Sequence, residues 1–405
     1  MSSSIDASRV VPRSQMLLIG AGILLTMLPV TLIVTVLKEL ISLRFSVSLF
    51  WAHAFMSTSL FGAILFAPFA GMIVDYMPSR RSVIIVALVL NAVCFFIMWQ
   101  TTSFEVMLTA RFVEGAAHIT ALTAWMASGA SLGDSSRSGR IMGALGGLLI
   151  LGITIGVPLG GIIAKSEPSN VLWSAGVISL VAAFVAIGVS SQKSNSEPTA
   201  FRDYLKMLQQ TPWLLLPYAY TFIDRLCIGI VISSVTLYMS EVLNMDPATR
   251  GIELFYFLLP FALLSYPAGR LSDRIGRIWQ MAIGTILFGT VYMMYGFAEG
   301  AVFSLLMVVS GILCALMFAP NLAMCRDLSS EEQKGSAFAG YNVAGSLGFA
   351  VGPLLGGTIY AWLISSNDQI SAFQQTFIIA GSFEVLCALI SLPFLIKLYR
   401  SGLAR

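Results

Sequence analysis

Charge is scarce in this chain. Asp, Glu, Lys and Arg make up only 11% of its 405 residues, whereas 57% are hydrophobic. Because a soluble domain carries about 25% charged residues, this composition excludes a soluble globular protein and indicates that lipid surrounds most of the surface. The net charge is only +3, and no basic run is longer than two residues, so no nucleic-acid partner is predicted.

Metal-ligating and disulfide-forming patterns are also missing. The five cysteines are widely spaced, none forms a CxxC pair, and there are only two histidines. We interpret the cysteines as small apolar residues rather than as a disulfide framework or a zinc site. No P-loop and no HExxH sequence occurs, so neither direct ATP coupling nor metalloprotease chemistry is predicted. The sequence therefore predicts no cofactor, no metal and no enzymatic activity.

Long apolar runs dominate what is present. A helix needs about 20 apolar residues to cross the hydrocarbon core of a bilayer, and twelve such runs occur without the period-2 alternation of porin-type strands. The first follows a polar N-terminus and has no small-residue cleavage site, so we expect a retained helix rather than a signal peptide. The predicted spans are 15–37, 50–74, 82–100, 105–130, 140–164, 171–190, 212–239, 252–271, 278–297, 301–325, 336–363 and 373–397.

The distribution of positive charge predicts the orientation. With the N-terminus in the cytoplasm, seventeen of the 23 Lys and Arg residues fall in cytoplasmic segments. Two more lie within spans, and only four lie in outer loops: Lys38, Arg44, Lys165 and Arg250. Both termini are therefore expected in the cytoplasm. The short loops and the missing N-x-S/T sequon favour a bacterial inner (plasma) membrane.

Several residues recur at a nearly constant offset, which indicates an internal repeat. Gly71 and Asp75 recur 198 positions later as Gly269 and Asp273, and six glycines from position 115 to position 161 recur 196 positions later. Eight paired positions at two nearly equal offsets rarely arise by chance. The chain is therefore predicted to consist of two related halves.

The repeat predicts the architecture. We expect an all-α membrane protein of two parallel six-helix bundles, residues 1–190 and 212–405, joined by a cytoplasmic linker with an amphipathic helix at 191–211. Parallel halves are related by an axis along the membrane normal, and a substrate site then lies between them near the bilayer midplane.

Two cytoplasmic loops carry related motifs, GRLSDRIGR from Gly269 and a diverged copy, GMIVDYMPSRR, from Gly71. The first resembles the G-x-L-x-D-R-x-G-R loop of the major facilitator superfamily, and this resemblance extends over about residues 14–397. In the copy, Tyr76 and Pro78 replace an arginine and a glycine. The resemblance implies a latch for the outward-facing conformation, whereas an ordinary turn with cytoplasmic positive charge is the alternative. The implied gating residues are Gly71, Asp75, Arg80, Arg81, Gly269, Asp273, Arg274, Gly276 and Arg277.

The fourth span carries ionisable residues on one face. Arg111, Glu114 and His118 are spaced i, i+3 and i+7, and charges inside a membrane are costly and usually functional. The segment RFVEG resembles the family's R-x-x-(Q/E)-G pattern, which implies a role in proton coupling. A static structural pair between Arg111 and Glu114 remains the alternative.

The fifth and eleventh spans carry glycine stripes. GITIGVPLGG from Gly152 and GFAVGPLLGG from Gly348 are similar to the G-x-x-x-G-P-x-x-G-G pattern of the antiporter branch, and so imply a bacterial proton-coupled efflux transporter. Small residues four apart also let helices pack closely, so packing alone is the alternative. The residues concerned are Gly152, Gly156, Pro158, Gly160, Gly161, Gly348, Gly352, Pro353, Gly356 and Gly357.

The seventh span adds Asp224 and Arg225 near the midplane. The resemblance places this span beside the central cavity, where Arg111 or Glu114 is a possible partner for Asp224 and where Asp224 binds a proton or the substrate. Arg225 is interpreted as its structural partner or as an anion-binding group. Glu384, in a peripheral span, is expected to form a hydrogen bond to a neighbouring helix. Further candidates to line the cavity are Tyr218, Tyr220, Thr221, Asn321, Tyr341 and Asn342.

The leading hypothesis is a monomeric secondary transporter that exchanges protons for a small hydrophobic or amphipathic compound and exports it by alternating access. The alternative is a proton symporter or facilitator that imports a small metabolite or an organic anion, for which Arg111 and Arg225 offer positive charge. A receptor or scaffold that has lost transport, and an integral membrane enzyme, are disfavoured by the two gating-type loops and the buried charges.

Overall fold

The computed structural model describes residues 13–77, 79–130, 138–190, 211–329 and 334–401, and within these ranges twelve long helices occur. The first six are α1 (Arg13–Leu32), α2 (Leu49–Tyr76), α3 (Arg80–Gln100), α4 (Phe104–Ala130), α5 (Ser138–Ile163) and α6 (Asn170–Ile187). The second six are α7 (Leu215–Glu241), α8 (Pro247–Ile275), α9 (Arg277–Met293), α10 (Gly300–Asp327), α11 (Lys334–Leu363) and α12 (Gln369–Arg400).

The predicted all-α membrane fold is confirmed. Eleven of the twelve helices are long and apolar enough to cross a membrane by length and composition. The exception is α4, because Arg111, Glu114 and His118 lower its mean hydropathy. The observed helices match the predicted spans to within a few residues, except that α1 continues through a 3-10 turn, Ile33–Val36, and a π-helical segment, Lys38–Leu43. The predicted linker helix falls on residues outside the described ranges, apart from residue 211.

Local sequence signals set several helix ends. The Ser79 side chain accepts a hydrogen bond from the Ser82 amide at the start of α3, and Asp246 caps α8 in the same way. Hydrogen bonds from Thr249 lower the pKa of the Asp246 carboxyl below its ordinary value, which strengthens this cap at neutral pH. Gly276, with φ of 97°, ends α8 in a conformation that only glycine adopts readily.

The two halves repeat each other down to backbone details. Ser46 and Asn244 are the non-glycine residues with positive φ in the described chain, at 53° and 50°, and they lie 198 positions apart. Arg80 donates a hydrogen bond to the carbonyl of Ala127 (3.0 Å), and Arg277 donates one to the carbonyl of Ala323 (2.7 Å). Each half therefore ties the start of its third helix to the end of its fourth.

The glycine stripes pack helices inside each half. On α5, Gly152, Gly156 and Gly160 face Met27, Thr31 and Leu32 of α1. On α11, Gly348, Gly352 and Gly356 face Phe222, Leu226 and Ile230 of α7. A β-carbon at Gly152 would lie 2.8 Å from the Met27 side chain, and one at Gly356 would lie 2.9 Å from Ile230. Both distances are shorter than van der Waals contact, so close helix packing accounts for these stripes.

The last glycine of each stripe contacts the other half. Gly161 of α5 packs on the backbone of Pro247 and Ala248 at the start of α8, and Gly357 of α11 packs on His53 of α2. These contacts lie at one end of the helices, and the start of α1 and the end of α12 lie at the opposite end. We call the end with these contacts the distal end and the opposite one the proximal end.

Two ion pairs join the halves at the distal end. The guanidinium of Arg250 forms a two-pronged contact with the carboxylate of Glu39, and the Nζ of Lys38 lies 3.0 Å from Oε1 of Glu241. Gln369 donates a further hydrogen bond to Glu241 (3.1 Å). The side chain of Arg250 is only 1% exposed, so this contact is more than a solvated surface pair. We name these two ion pairs the distal latch.

Glycines near the proximal end lie against empty space. A β-carbon at Gly71, Gly146 or Gly147 would meet no described atom within 4 Å, and one at Gly269 would meet only Ala319, at 3.7 Å. The two expected gating glycines, Gly71 and Gly269, therefore do not pack closely against another helix here. The structure represents the conformation in which the halves are joined at the distal end.

A β-carbon added at Gly161 is expected to favour the opposite conformation. In Gly161→Ala it would lie 2.9 Å from the Cα of Ala248 and closer still to the Pro247 carbonyl, so the halves must separate at the distal end. Spin labels attached at positions 46 and 244, with the native cysteines replaced, should report a longer distance than in the unaltered chain. Gly146→Ala on the same helix is the control, and an unchanged distance in Gly161→Ala would contradict the assignment.

Candidate functional site

The N-terminal half buries an ion pair whose carboxylate is fully partnered. Arg111 and Glu114 of α4 pair at 2.8 Å, with side chains 1% and 0% exposed. Ser59 of α2 donates to Oε2 of Glu114 (2.8 Å), and Asn91 of α3 donates to Oε1 (3.1 Å). Both carboxylate oxygens therefore have partners, and the charge is balanced within one helix turn.

This network links four helices. The side-chain oxygen of Asn91 accepts a hydrogen bond from Ser179 of α6 (2.9 Å), and the Arg111 guanidinium lies 4.9 Å from the ring centre of Phe55 on α2. His118 is half-buried and lies within electrostatic range of Glu114 and Arg111. The predicted grouping of Arg111, Glu114 and His118 thus appears in the structure. Because both oxygens of Glu114 have partners, the arrangement favours a structural anchor over a group that gains and loses a proton.

The C-terminal half buries an incomplete arrangement. Asp224 of α7 is 6% exposed, and its Oδ1 has no hydrogen-bond partner among the described residues. The guanidinium of Arg225 lies 5.1 Å from the ring centre of Phe318, and within the described ranges no carboxylate lies within 4 Å of it. Sequence reasoning suggested Arg111 or Glu114 as the partner of Asp224, but these two residues pair with each other. The other ionisable groups of this part of the half are Arg225, next in sequence, and Glu384 of α12.

Glu384 is the residue that sequence reasoning undervalued. It lies in the middle of α12, is 1% exposed, and has one carboxylate oxygen, Oε1, without a partner in the described part of the chain. The thiol of Cys227 on α7 donates a hydrogen bond to the carbonyl of Ala380 (3.3 Å), one turn before Glu384 on α12. An acidic residue inside a span was the available signal. It was set aside because the resemblance placed this span at the periphery.

Most of the expected cavity residues bridge helices within the C-terminal half. Tyr218 donates to the carbonyl of Ala337 (2.8 Å), and the hydroxyl of Tyr220 lies 2.6 Å from that of Ser391. Asn321 donates to the carbonyl of Pro217 and to the hydroxyl of Tyr341, both at 3.4 Å. Thr221 is buried beside these groups, whereas Asn342 is exposed. Asn342 is therefore the candidate that this conformation leaves most accessible.

The gating-loop residues form contacts inside their own half. Arg277 binds Asp273 (3.0 Å) and also contacts Asp327 of α10. Arg274 is exposed and Arg81 is half-buried, while Arg80 binds α4 as described above. The side chain of Asp75 lies outside what the structure describes. Among the described side chains, these residues make no contact between the halves, so a latch through them remains a prediction for the other conformation.

No metal centre is visible in the described ranges, and a polar groove of about 500 Å³ lies at the distal end beside Glu39, Arg44 and Glu167. Among the described residues, no three His, Cys, Asp or Glu side chains gather as metal ligands would. A groove of about 440 Å³ separates α7 from α12, and apolar side chains such as Leu216, Ile223 and Phe394 line most of it. This groove carries no charge and differs from the polar cavity expected between the halves.

Replacing Glu114 is expected to destabilise the protein. In Glu114→Gln the buried Arg111 loses its counter-charge, which costs about 3–5 kcal/mol in comparable buried pairs. Thermal unfolding in detergent should therefore occur at a clearly lower temperature. The double variant Arg111→Met/Glu114→Gln should regain part of this loss because no uncompensated charge remains. Glu105→Gln, at an exposed position of the same helix, serves as the control, and equal stability of all variants would refute the anchor.

Comparisons with known proteins identify the family. The sequence profile of the Major Facilitator Superfamily matches residues 19–223 and 218–402. A solved bacterial homologue of the human lysosomal transporter Spinster, in an inward-facing and unoccupied conformation, superimposes with a TM-score of 0.80 at 12% identity, over 95% of this chain and 96% of its own. The nucleoside transporter NupG superimposes with a TM-score of 0.77 at 13% identity, over 95% and 99% of the two chains.

Similar sequences include two transport-related proteins. The human chromaffin granule amine transporter is 23% identical over 252 residues, which are 59% of this chain and 47% of that protein. The quinolone resistance protein NorA of Staphylococcus aureus is 28% identical over 178 residues, 43% of each chain. This chain thus spans about half the length of the curated relatives it matches. The family profile, which extends over nearly all of the described helices, shows that the chain belongs to the major facilitator superfamily of membrane transporters.

Proposed function

We propose that this protein is a proton-coupled antiporter that exports a small hydrophobic or amphipathic compound by alternating access. The observation that carries this proposal is the buried Asp224 carboxylate, which has an unpartnered oxygen and no guanidinium or ammonium within 4 Å among the described residues. Such a group changes its affinity for a proton when its surroundings change. An antiporter needs a group of this kind, which the proton and the substrate occupy alternately.

Alternating access follows from the contacts between the halves. Each half is held together by its own glycine stripe. The halves meet where α2 packs on α11 and where α5 packs on α8, and Gly161, Gly357 and the distal latch lie in this joint. Separating these helices at the distal end lets the halves rock as rigid bodies. The gating-loop residues at the proximal end then become available to hold the opposite conformation, as the family resemblance implies.

Orientation follows from charge. The positive-inside rule assigns the proximal end, with both termini, to the cytoplasm of a bacterial cell and the distal end to the outside. The conformation described here is then inward-facing. A compound taken from the cytoplasm or the inner leaflet would reach the site in this state, and a proton would enter after the distal latch opens.

The relatives agree with a lipophilic, basic substrate. One is named an amine transporter and another a quinolone resistance protein. A protonated amine carries a positive charge, and a buried carboxylate attracts it strongly in a medium of low dielectric constant. Competition between this cation and a proton for Asp224 would couple export to the proton gradient.

The transport assay uses everted membrane vesicles. The interior is acidified by respiration and a pH-sensitive dye is followed while lipophilic cations, anions and neutral compounds are added. We expect at least one compound to release the acidity through the unaltered chain and none to do so through Asp224→Asn, because the amide cannot exchange a proton. Glu105→Gln should behave like the unaltered chain. Release of the acidity through Asp224→Asn would exclude Asp224 as the group that exchanges the proton. Uptake of metabolites by right-side-out vesicles without any export would favour the symporter alternative.

Breaking the distal latch is expected to slow export. In Arg250→Met the carboxylate of Glu39 loses the guanidinium that contacts both of its oxygens. The inward-facing conformation is then less populated, so a smaller fraction of the protein can bind substrate from the cytoplasm. The rate of dye-detected proton release at saturating compound should fall. The double variant Glu39→Gln/Arg250→Met should recover part of the rate because no unpaired charge is left at the joint. Unaltered rates in the single variant would show that the glycine contacts alone close this end.

A further inference from the structure

The core of the C-terminal half holds two carboxylic acids from different helices. Asp224 of α7 and Glu384 of α12 face the same helix junction, because Cys227, one turn after Asp224, donates a hydrogen bond to the carbonyl of Ala380, one turn before Glu384 (3.3 Å). Their side chains are 6% and 1% exposed, and one oxygen of each, Oδ1 and Oε1, has no hydrogen-bond partner in the described ranges. The Arg111–Glu114 network of the other half contains one acid and satisfies it completely.

No close cation balances this pair. Among the described residues, no Lys, Arg or His nitrogen lies within 4 Å of either carboxylate. Arg225 follows Asp224 in sequence, but its guanidinium packs on Phe318. Two carboxylates buried at one helix junction without a close cation are costly to ionise together at neutral pH. Retention of one proton by the pair avoids this cost.

The groups around the pair are mostly neutral at physiological pH. Arg225 is the charged one, and the others are tyrosines and cysteines on five helices. The titratable or charged groups in electrostatic range of one or both acids are Tyr220, Arg225 and Cys227 on α7, Tyr292 on α9, Cys314 on α10, Tyr341 on α11 and Cys387 on α12.

Tyr292 is a separate observation in favour of proton binding by the two acids. Its side chain is completely buried, and its hydroxyl has no hydrogen-bond partner in the part of the chain that the structure describes, although Glu384 and Cys227 are in electrostatic range. A buried hydroxyl without a partner is costly. A tyrosine hydroxyl beside an acid that changes its protonation can serve as donor to the ionised form and as acceptor from the neutral form.

Close helix packing holds Glu384 in this position. A β-carbon at Gly289 of α9 would lie 2.8 Å from the Cβ of Glu384, and Gly289 and Gly381 approach each other through their backbones. On the other side, the thiol of Cys227 donates to the carbonyl of Ala380 (3.3 Å). The acid is therefore built into the junction of α7, α9 and α12 rather than left at the edge of the bundle.

We propose that Asp224 and Glu384 form a single proton-binding site in which the two carboxyl groups carry one proton between them, held by one acid at a time, in the inward-facing conformation. Glu384 thus becomes a second proton-carrying residue, and the proton affinity of Asp224 depends on it. The role of this site in transport rests on the proposed function, since the exchanged proton would be that of the pair. The existence of the shared proton does not depend on transport.

Infrared spectroscopy of the purified chain in lipid nanodiscs tests the proposal with the proton itself as probe. The stretching band of protonated carboxyl groups is followed through a pH titration in light and heavy water. In Glu384→Gln, removal of the neighbouring acid should move the deprotonation of Asp224 to lower pH by about one unit or more, a tenfold loss of proton affinity. In Asp224→Asn, the band of Glu384 should move in the same direction, because the coupling is reciprocal.

Two further variants keep the result interpretable. Glu253→Gln removes another buried acid of the same half, bound to Ser304 at 2.7 Å, and should leave the pair's titration unchanged. Glu384→Asp retains both carboxyls and should still titrate in two coupled steps, so it reports on the pair even when Glu384→Gln folds poorly. Equal titration of Asp224 with and without Glu384 would overturn the proposal.

The transport assay tests the antiport and the pH titration tests the single proton on the pair, so either proposal can be refuted without the other. Coupled titration without proton release in vesicles would preserve the shared proton and remove the antiport. Proton-coupled export with independent titration of the two acids would do the reverse.

Discussion

The cost of placing charge in a medium without water governs this structure. Each half carries ionisable residues at mid-depth, and each treats them differently. The N-terminal half surrounds Glu114 with Arg111, Ser59 and Asn91, so the negative charge of this carboxylate is balanced by an adjacent guanidinium and two hydrogen-bond donors. The C-terminal half leaves oxygens of Asp224 and Glu384 unpartnered. Since a buried acid without a counter-charge is costly to ionise, the proton-binding role proposed above falls to the C-terminal half.

Close approach of helices is the second constraint, and glycine provides it. Along α5 and α11, successive glycines face α1 and α7, and the last one faces the opposite half. The same helix surface therefore builds a bundle and makes contact with the other bundle. Hydrocarbon chains offer no hydrophobic driving force for helix association, so such dense backbone packing is what holds the bundles together in lipid. The contacts between bundles are fewer, which makes the joint the weaker element.

The sequence predicted much of this because its signals are local or periodic. Apolar runs located the spans, the 198-residue offset predicted two halves, and the i, i+3 spacing of Arg111 and Glu114 predicted their contact. Contacts between segments that are far apart in sequence were harder to predict. Nothing in the sequence pairs Glu39 with Arg250 or Asp224 with Glu384, because these pairings depend on how bundles and helices are rotated. Tyr220 and Asn321 were expected in a cavity and instead bridge helices, since polarity alone does not reveal the direction of a side chain.

The distal latch has an arrangement of signs with a physiological consequence. One half contributes the neighbours Lys38 and Glu39, and the other contributes Glu241 and Arg250, so the contribution of each half is electrically neutral. Opening this end displaces opposite charges together and moves no net charge through the membrane field. The membrane voltage therefore exerts almost no force on this step. Ionic strength at the distal face acts on it instead, because salt weakens the less buried Lys38–Glu241 pair.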